Sequence, residues 1–242
     1  MNRDFPGGRK KALTFGFDDC ERYDRKLAEL FRTYKVKATF FLITDSLGAR
    51  IPFHRYGRDT VVERVTAKEL PVTYRGMELA SHTASHHDCR HMDYETLKSE
   101  MERSCAALGG SCRDYGMAYP GGLYNETCVE YLKELGVPYA RTAVDTHGFA
   151  VPRTREEFLA WNPTCQYHDP DIEAIVEEFL REDGTRKLLY IWGHSYETES
   201  PDPAFGFDAI EALLKKLGGR EDIWYASNMD IHREEMKWED GN

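Results

Sequence analysis

The feature that most constrains this chain is the regular alternation of short apolar runs with longer amphipathic ones. Residues 11–17 (KALTFGF) read as a strand. Residues 21–34 read as a helix, with Leu27, Leu30 and Phe31 at i, i+3, i+4 spacing. Residues 37–43 (KATFFLI) are a second buried strand and residues 77–81 a third, whereas residues 44–74 are expected to mix loops with one or two short helices. A helix over 94–108 stops at Gly109 and Gly110, and another over 125–135 is capped by Asn125 and closed by a glycine. Further strands are expected at 115–119, 139–144, 187–192 and 223–226, and further helices at 171–181 and 207–217. Strand–helix alternation implies a mainly parallel sheet with helical crossovers, and about seven such units favour a barrel over an open sheet. No repeat or low-complexity linker divides the chain, so residues 1–242 are expected to form a single α/β domain.

Composition excludes several partner classes. With 32 Lys and Arg against 42 Asp and Glu, the net charge is −10 and no basic block is present, which argues against nucleic acid and anionic membrane surfaces as partners. No run approaches the roughly 20 apolar residues of a membrane span. The opening MNRDFPGGRKK has no apolar secretory core, and the six cysteines form no CxxC pair, so a reduced, cytoplasmic protein is expected.

The chemistry is expected where strands end. Asp18 and Asp19 follow the first apolar run; two adjacent buried carboxylates repel unless a cation or proton intervenes, so one would bind a metal and the other stay free as a base. His82 and His86, four apart after the third strand, meet one ion if the segment turns helically. Asp plus two His with open positions is the form of a catalytic metal site. The run KLLYIWGH ends in His194, placed to act as a general acid.

These segments together resemble the polysaccharide deacetylase family, also called the NodB-homology domain or carbohydrate esterase family 4, over most of the chain. TFGFDDC is similar to its first motif TFDDG, with Cys20 for the glycine; HTASH is similar to H-S/T-x-x-H; IWGH is similar to the last motif. The resemblance implies a distorted, NodB-like (β/α) barrel. It implies Asp18 as base, Asp19, His82 and His86 as metal ligands, Thr83 as a loop-stabilising hydroxyl and His194 as acid. It also implies one divalent ion, zinc first, with cobalt or nickel as alternatives.

Two motifs depart from the pattern. Where the family has R-x-P-Y-G, this chain has Ala118, Tyr119, Pro120, Gly121, Gly122. Gly121 would supply the backbone oxyanion donor. The absent arginine leaves Asp18 less tuned, or tuned by another cation such as Arg141. VDTHGF resembles V-D-x-x-D-W, which implies Asp145 orienting His194; Trp192 and Tyr124 would wall the acyl pocket. The implied activity is metal-dependent removal of an acyl group, acetyl first, from an amide nitrogen of a carbohydrate or small-molecule substrate. The competing readings are an amidohydrolase acting on a small non-sugar amide and a non-catalytic relative that binds metal or carbohydrate. The oligomeric state is left open.

Overall fold

The computed structural model describes residues 4–237. In chain order its strands are β1 (Lys11–Asp18), β2 (Thr39–Leu42), β3 (Arg50–Arg55), β4 (Arg58–Glu63), β5 (Glu78–Ser81), β6 (Met117–Ala118), β7 (Ala140–Arg141), β8 (Cys165–Gln166), β9 (Lys187–His194) and β10 (Ile223–Tyr225). Its helices are α1 (Asp24–Thr33), α2 (Leu70–Thr73), α3 (Tyr94–Leu108), α4 (Glu126–Leu135), α5 (Arg155–Leu159), α6 (Ile172–Leu180), α7 (Phe207–Leu217) and α8 (Asn228–Met236).

Seven strands pair in parallel in the order β7-β6-β5-β2-β1-β9-β8. The short β10 pairs with Lys11–Leu13 of β1, and β2 pairs with Gly16–Asp18 of the same strand. The sheet curls until Arg141 of β7 makes an isolated parallel bridge to Trp161, just ahead of β8. At this last seam of the distorted barrel the Trp161 amide donates to the Ala140 carbonyl at 3.0 Å and the Thr142 amide to the Trp161 carbonyl at 2.9 Å, with Thr146 and His147 bonding Pro163 and Thr164 further on.

Side-chain alternation sorts the core. Leu13, Phe15 and Phe17 of β1 and Leu189 and Ile191 of β9 point outward, packing against α1, α6 and α7. Ala12 of β1, with Leu188, Tyr190 and Trp192 of β9, points into the concave interior, where Phe41 and Tyr139 also pack. Small residues make room for the large ones: a Cβ at Gly16 would lie 2.9 Å from the Tyr190 hydroxyl and 3.1 Å from Phe41. The same alternation turns Asp18 and His194 inward, and they are register partners at the carboxyl ends of β1 and β9.

Several expectations are corrected. Residues 44–74 hold an antiparallel hairpin, β3–β4, besides short helical turns. The expected strands at 115–119 and 139–144 shrink to two residues each, and β8, α5 and α8 were not anticipated. Asn125 does cap α4, accepting from the Cys128 amide at 3.0 Å, and Gly109 and Gly136 close α3 and α4 with positive φ. All six cysteines are buried and free. Among the described residues no helix is long and apolar enough to cross a membrane.

Candidate active site

After β1 the backbone turns sharply. Asp19 and Cys20 both adopt positive φ (81° and 49°), and the Asp19 amide donates to the Phe41 carbonyl at 3.0 Å. Such left-handed backbone is costly for residues other than glycine and persists where the surroundings hold it. It leaves the two neighbouring carboxylates in one cluster, Asp18 in the barrel and Asp19 beside the loop after β5.

That loop carries the histidines, but it is not helical: Thr83 and His86 have φ of 59° and 62°. The His86 amide donates to the Thr83 hydroxyl at 3.0 Å, and the Thr83 amide to the Ser81 hydroxyl at 3.0 Å. This turn, rather than a helical face, brings the two imidazoles to a centroid distance of 4.6 Å. Ligand atoms of Asp19, His82 and His86 all lie within 4.8 Å of one another.

The donor set fits a divalent cation. His82 Nδ1 lies 2.9 Å from the Ala118 carbonyl, which fixes its proton there and leaves the Nε2 lone pair facing the carboxylates. Burial pushes the His82 imidazole down to about 4, against the pull of Asp18 and Asp19, so the ring is neutral at neutral pH. Asp19 Oδ1 is buried without a hydrogen-bond partner, 3.8 Å from His82 Nε2 and 3.9 Å from His86 Nε2. A buried carboxylate oxygen left unpaired between two imidazole nitrogens is what a cation would satisfy. His87 bonds Ser85 and His91 is exposed near Asp88; neither joins the cluster.

Asp18 is set by a residue from another strand. The Arg141 guanidinium donates to Asp18 Oδ2, with both side chains almost fully buried. Arg141 is the register partner of Ala118, so it sits one strand over from the position where the expected arginine is missing. Burial works against the Asp18 charge. The Arg141 guanidinium, with His82 and His194 beyond it, outweighs that and holds the carboxyl below its ordinary value. The second oxygen, Asp18 Oδ1, is buried and unpartnered.

His194 lies with Nε2 3.8 Å from Asp18 Oδ2 and Nδ1 3.2 Å from Glu197 Oε1. Burial opposes its charge, but the Glu197 hydrogen bond and the charges of Asp18 and Asp19 raise the imidazole to about 9. The expectation for Asp145 is corrected here: its Oδ1 accepts from Trp192 Nε1 at 2.6 Å, and Glu197 is the carboxylate that faces His194. Trp192 packs under the Arg141 guanidinium, 4.6 Å from its ring centre, and 5.8 Å from the His194 ring, so it belongs to the site's wall. Tyr124 stacks on Tyr119 at 4.9 Å, within the cluster around Leu97 and Leu132, and none of its described contacts reaches Asp18 or His194. Gly121 has φ of 60° in the tight turn Pro120–Gly122 beyond β6. Cys20 is buried, and burial pushes its thiol up to about 12, away from the ionised form a nucleophile needs.

Sequence reasoning missed Glu197 and Arg64. Glu197 stands three residues after His194 and accepts from its backbone amide at 2.9 Å, a capping-box spacing that was readable. Arg64 donates to the Asp19 carbonyl from across the hairpin and carries no local signal.

Comparison with known proteins bears on the family and the fold. A family model described as polysaccharide deacetylase matches residues 6–140. No curated protein matches the sequence. Among solved structures, an allantoinase superposes with a TM-score of 0.63 at 14% identity, covering 96% of this chain and 92% of its own. A family 4 carbohydrate esterase from Streptomyces lividans in complex with acetate gives 0.51 at 18% identity, covering 89% and 91%. A mutant of a family 4 pseudoenzyme with restored enzymatic activity gives 0.54 at 13% identity, covering 96% and 70%. At these identities the structures speak for the shared fold. The family match spans more than half of the chain: it belongs to the polysaccharide deacetylase family, hydrolases acting on carbon–nitrogen bonds.

Proposed function

We propose that this chain is a metal-dependent hydrolase that removes an acyl group, acetyl first, from an amide nitrogen. The observation that carries the reading is the cluster itself. An ionised carboxylate with one free oxygen and a raised histidine face each other beside an Asp–His–His triad.

Asp19, His82 and His86 would hold one divalent ion, zinc by the oxygen-and-imidazole donor set, with cobalt and nickel as alternatives. Such an ion supplies Lewis-acid polarisation and makes water acidic near neutral pH. Asp18 Oδ1 is the atom placed to take the proton of an attacking water, while Arg141 holds Oδ2 and keeps the carboxylate ionised. The Gly121 amide is assigned as the oxyanion donor. His194, protonated at neutral pH and oriented by Glu197, delivers a proton to the departing nitrogen, giving a carboxylic acid and a free amine. Trp192 keeps water from Arg141 by covering its face.

The test is acetate release from N-acetylated amines by protein stripped of metal and reloaded with zinc. Asp18→Asn is expected to keep bound zinc and lose on the order of 10²–10⁴-fold in kcat. Acetate release that is equal in stripped and reloaded protein, or unchanged in Asp18→Asn, contradicts the proposal.

A further inference from the structure

The hairpin β3–β4 forms a wall that the motifs do not account for. Its turn, Tyr56–Gly57, has φ of 53° and 73°, the two left-handed residues of a tight hairpin. Ile51 pairs with Val62 and Phe53 with Thr60, and paired residues share a face. Val62 is buried, but Ile51 and Phe53 on that face remain 46% and 51% exposed. They line a cavity of about 560 Å³ together with Asp19, Tyr56, Arg64 and Tyr196. Half-exposed aromatic and aliphatic side chains beside a metal-ligand carboxylate leave apolar surface that an occupant would cover.

The cavity has a direction and a braced wall. Tyr196 packs on His194 at a ring distance of 4.9 Å, so the cavity lies on the side that receives the departing amine. Within the same lining, Arg55 bridges the hairpin to Glu21 at 2.8 Å and reaches Glu199 at 3.3 Å, with its guanidinium 4.0 Å over the Tyr196 ring. Arg58 adds a bond to the Glu199 carbonyl at 3.1 Å. This clasp of buried ion pairs holds the hairpin against the turn after β9, so Ile51, Phe53 and Tyr56 are presented on a braced wall. The clasp charges are engaged with one another, Arg55 with Glu21 and Glu199, and His54 pairs with Asp59, while the most exposed apolar lining is Ile51, Phe53 and Tyr56. A sugar ring would bring several hydroxyls that need partners, whereas an apolar ring needs none.

Resting on the hydrolase reading above, we propose that the substrate is a small N-acyl amine whose amine side carries an apolar, aromatic ring, seated against Phe53 and Ile51. The hairpin is then the element that sets specificity.

The test uses the zinc-loaded full chain with N-acetylbenzylamine, N-acetylglucosamine and chitopentaose, following acetate release, and measures benzylamine binding by calorimetry. We expect kcat/KM for N-acetylbenzylamine to exceed that for N-acetylglucosamine by about tenfold or more. Phe53→Ala is expected to cost about tenfold on the benzyl substrate, mainly in KM, with Phe53→Tyr retaining most of it. Faster turnover of the sugar or its oligomer, with Phe53→Ala neutral, overturns the ring assignment and leaves the hydrolase reading standing. If no substrate releases acetate, the hydrolase reading falls by itself, and calorimetry decides the cavity. Benzylamine binding that Phe53→Ala weakens supports the cavity; no binding, or binding indifferent to Phe53, overturns it.

Discussion

Replacing Arg141 by alanine removes the one guanidinium that pairs with Asp18. Both partners are almost fully buried, so solvent screening does not dilute the effect. Losing one member of a buried pair costs on the order of 3–5 kcal/mol of stability, because the remaining charge is stranded. An opposite charge in contact lowers a carboxyl by about 1–3 units, so its loss raises Asp18 by that much. Burial, already the largest influence on Asp18 and acting upward, is then less opposed. The sign follows. Wild-type Asp18 contributes stability above the ordinary carboxyl value and loses it as pH falls through its depressed folded value. In the variant the folded value rises, so the stability deficit is smallest at low pH and grows as pH rises. The base is active only when ionised, so the acid limb of kcat/KM moves up by about 1–3 units, and on that slope the rate falls roughly 10- to 1000-fold. The assay is a kcat/KM profile from pH 4 to 9 on zinc-loaded wild type, Arg141→Ala and the double variant Ala118→Arg with Arg141→Ala. Ala118 lies opposite Arg141 in the parallel register, so a guanidinium there approaches from the neighbouring strand, and the double variant should return the limb part of the way. A folded Arg141→Ala whose acid limb stays in place refutes the reasoning.

Two further outcomes follow from groups near the site. Glu197→Gln removes the carboxylate that helps raise His194 to about 9; since the acid works only when protonated, the alkaline limb of kcat/KM should move to lower pH, with the acid limb unchanged. Asp24 is fully buried in α1, where burial, reinforced by the charges of Glu21 and Asp19, pushes its carboxyl up to about 7 from 3.8. A raised acid favours the folded state when protonated, so stability should decline as pH rises from about 4 to about 7, by an upper bound of about 4 kcal/mol. Asp24→Asn, whose amide oxygen can still accept from Tyr74, should flatten that decline in a melt series from pH 4 to 8.

The parts of this site that were legible in the sequence are the local ones. Asp18–Asp19 and His194 follow apolar runs, and His82 and His86 sit four apart, so adjacency alone groups them in pairs. The structure adds what adjacency lacks: register places Asp18 opposite His194, and a turn with two left-handed residues, not a helix, brings the histidines together. Arg141 was legible only as a candidate, because its partner is 123 residues away and the pairing depends on the order β7-β6-β5-β2-β1. Asp145 was misassigned because the fold gives its carboxylate to Trp192, while Glu197 takes His194. The hairpin was missed although Ile51 and Phe53 alternate ahead of a Tyr-Gly turn. Charged residues and a proline interrupt the pattern, and both strands are largely exposed. Strands of two residues such as β6, β7 and β8 are too short to show any period and exist because neighbours pair with them.

The central claim is that Asp19, His82 and His86 form a metal centre next to a free Asp18. The most direct measurement is anomalous diffraction at the zinc edge from crystals of the zinc-loaded chain. The account predicts one strong peak per chain, about 2.0–2.2 Å from an Asp19 carboxylate oxygen and from Nε2 of both histidines, with Asp18 outside the coordination shell. A peak bound by Asp18 in place of Asp19, or the absence of any peak at this cluster, would contradict it.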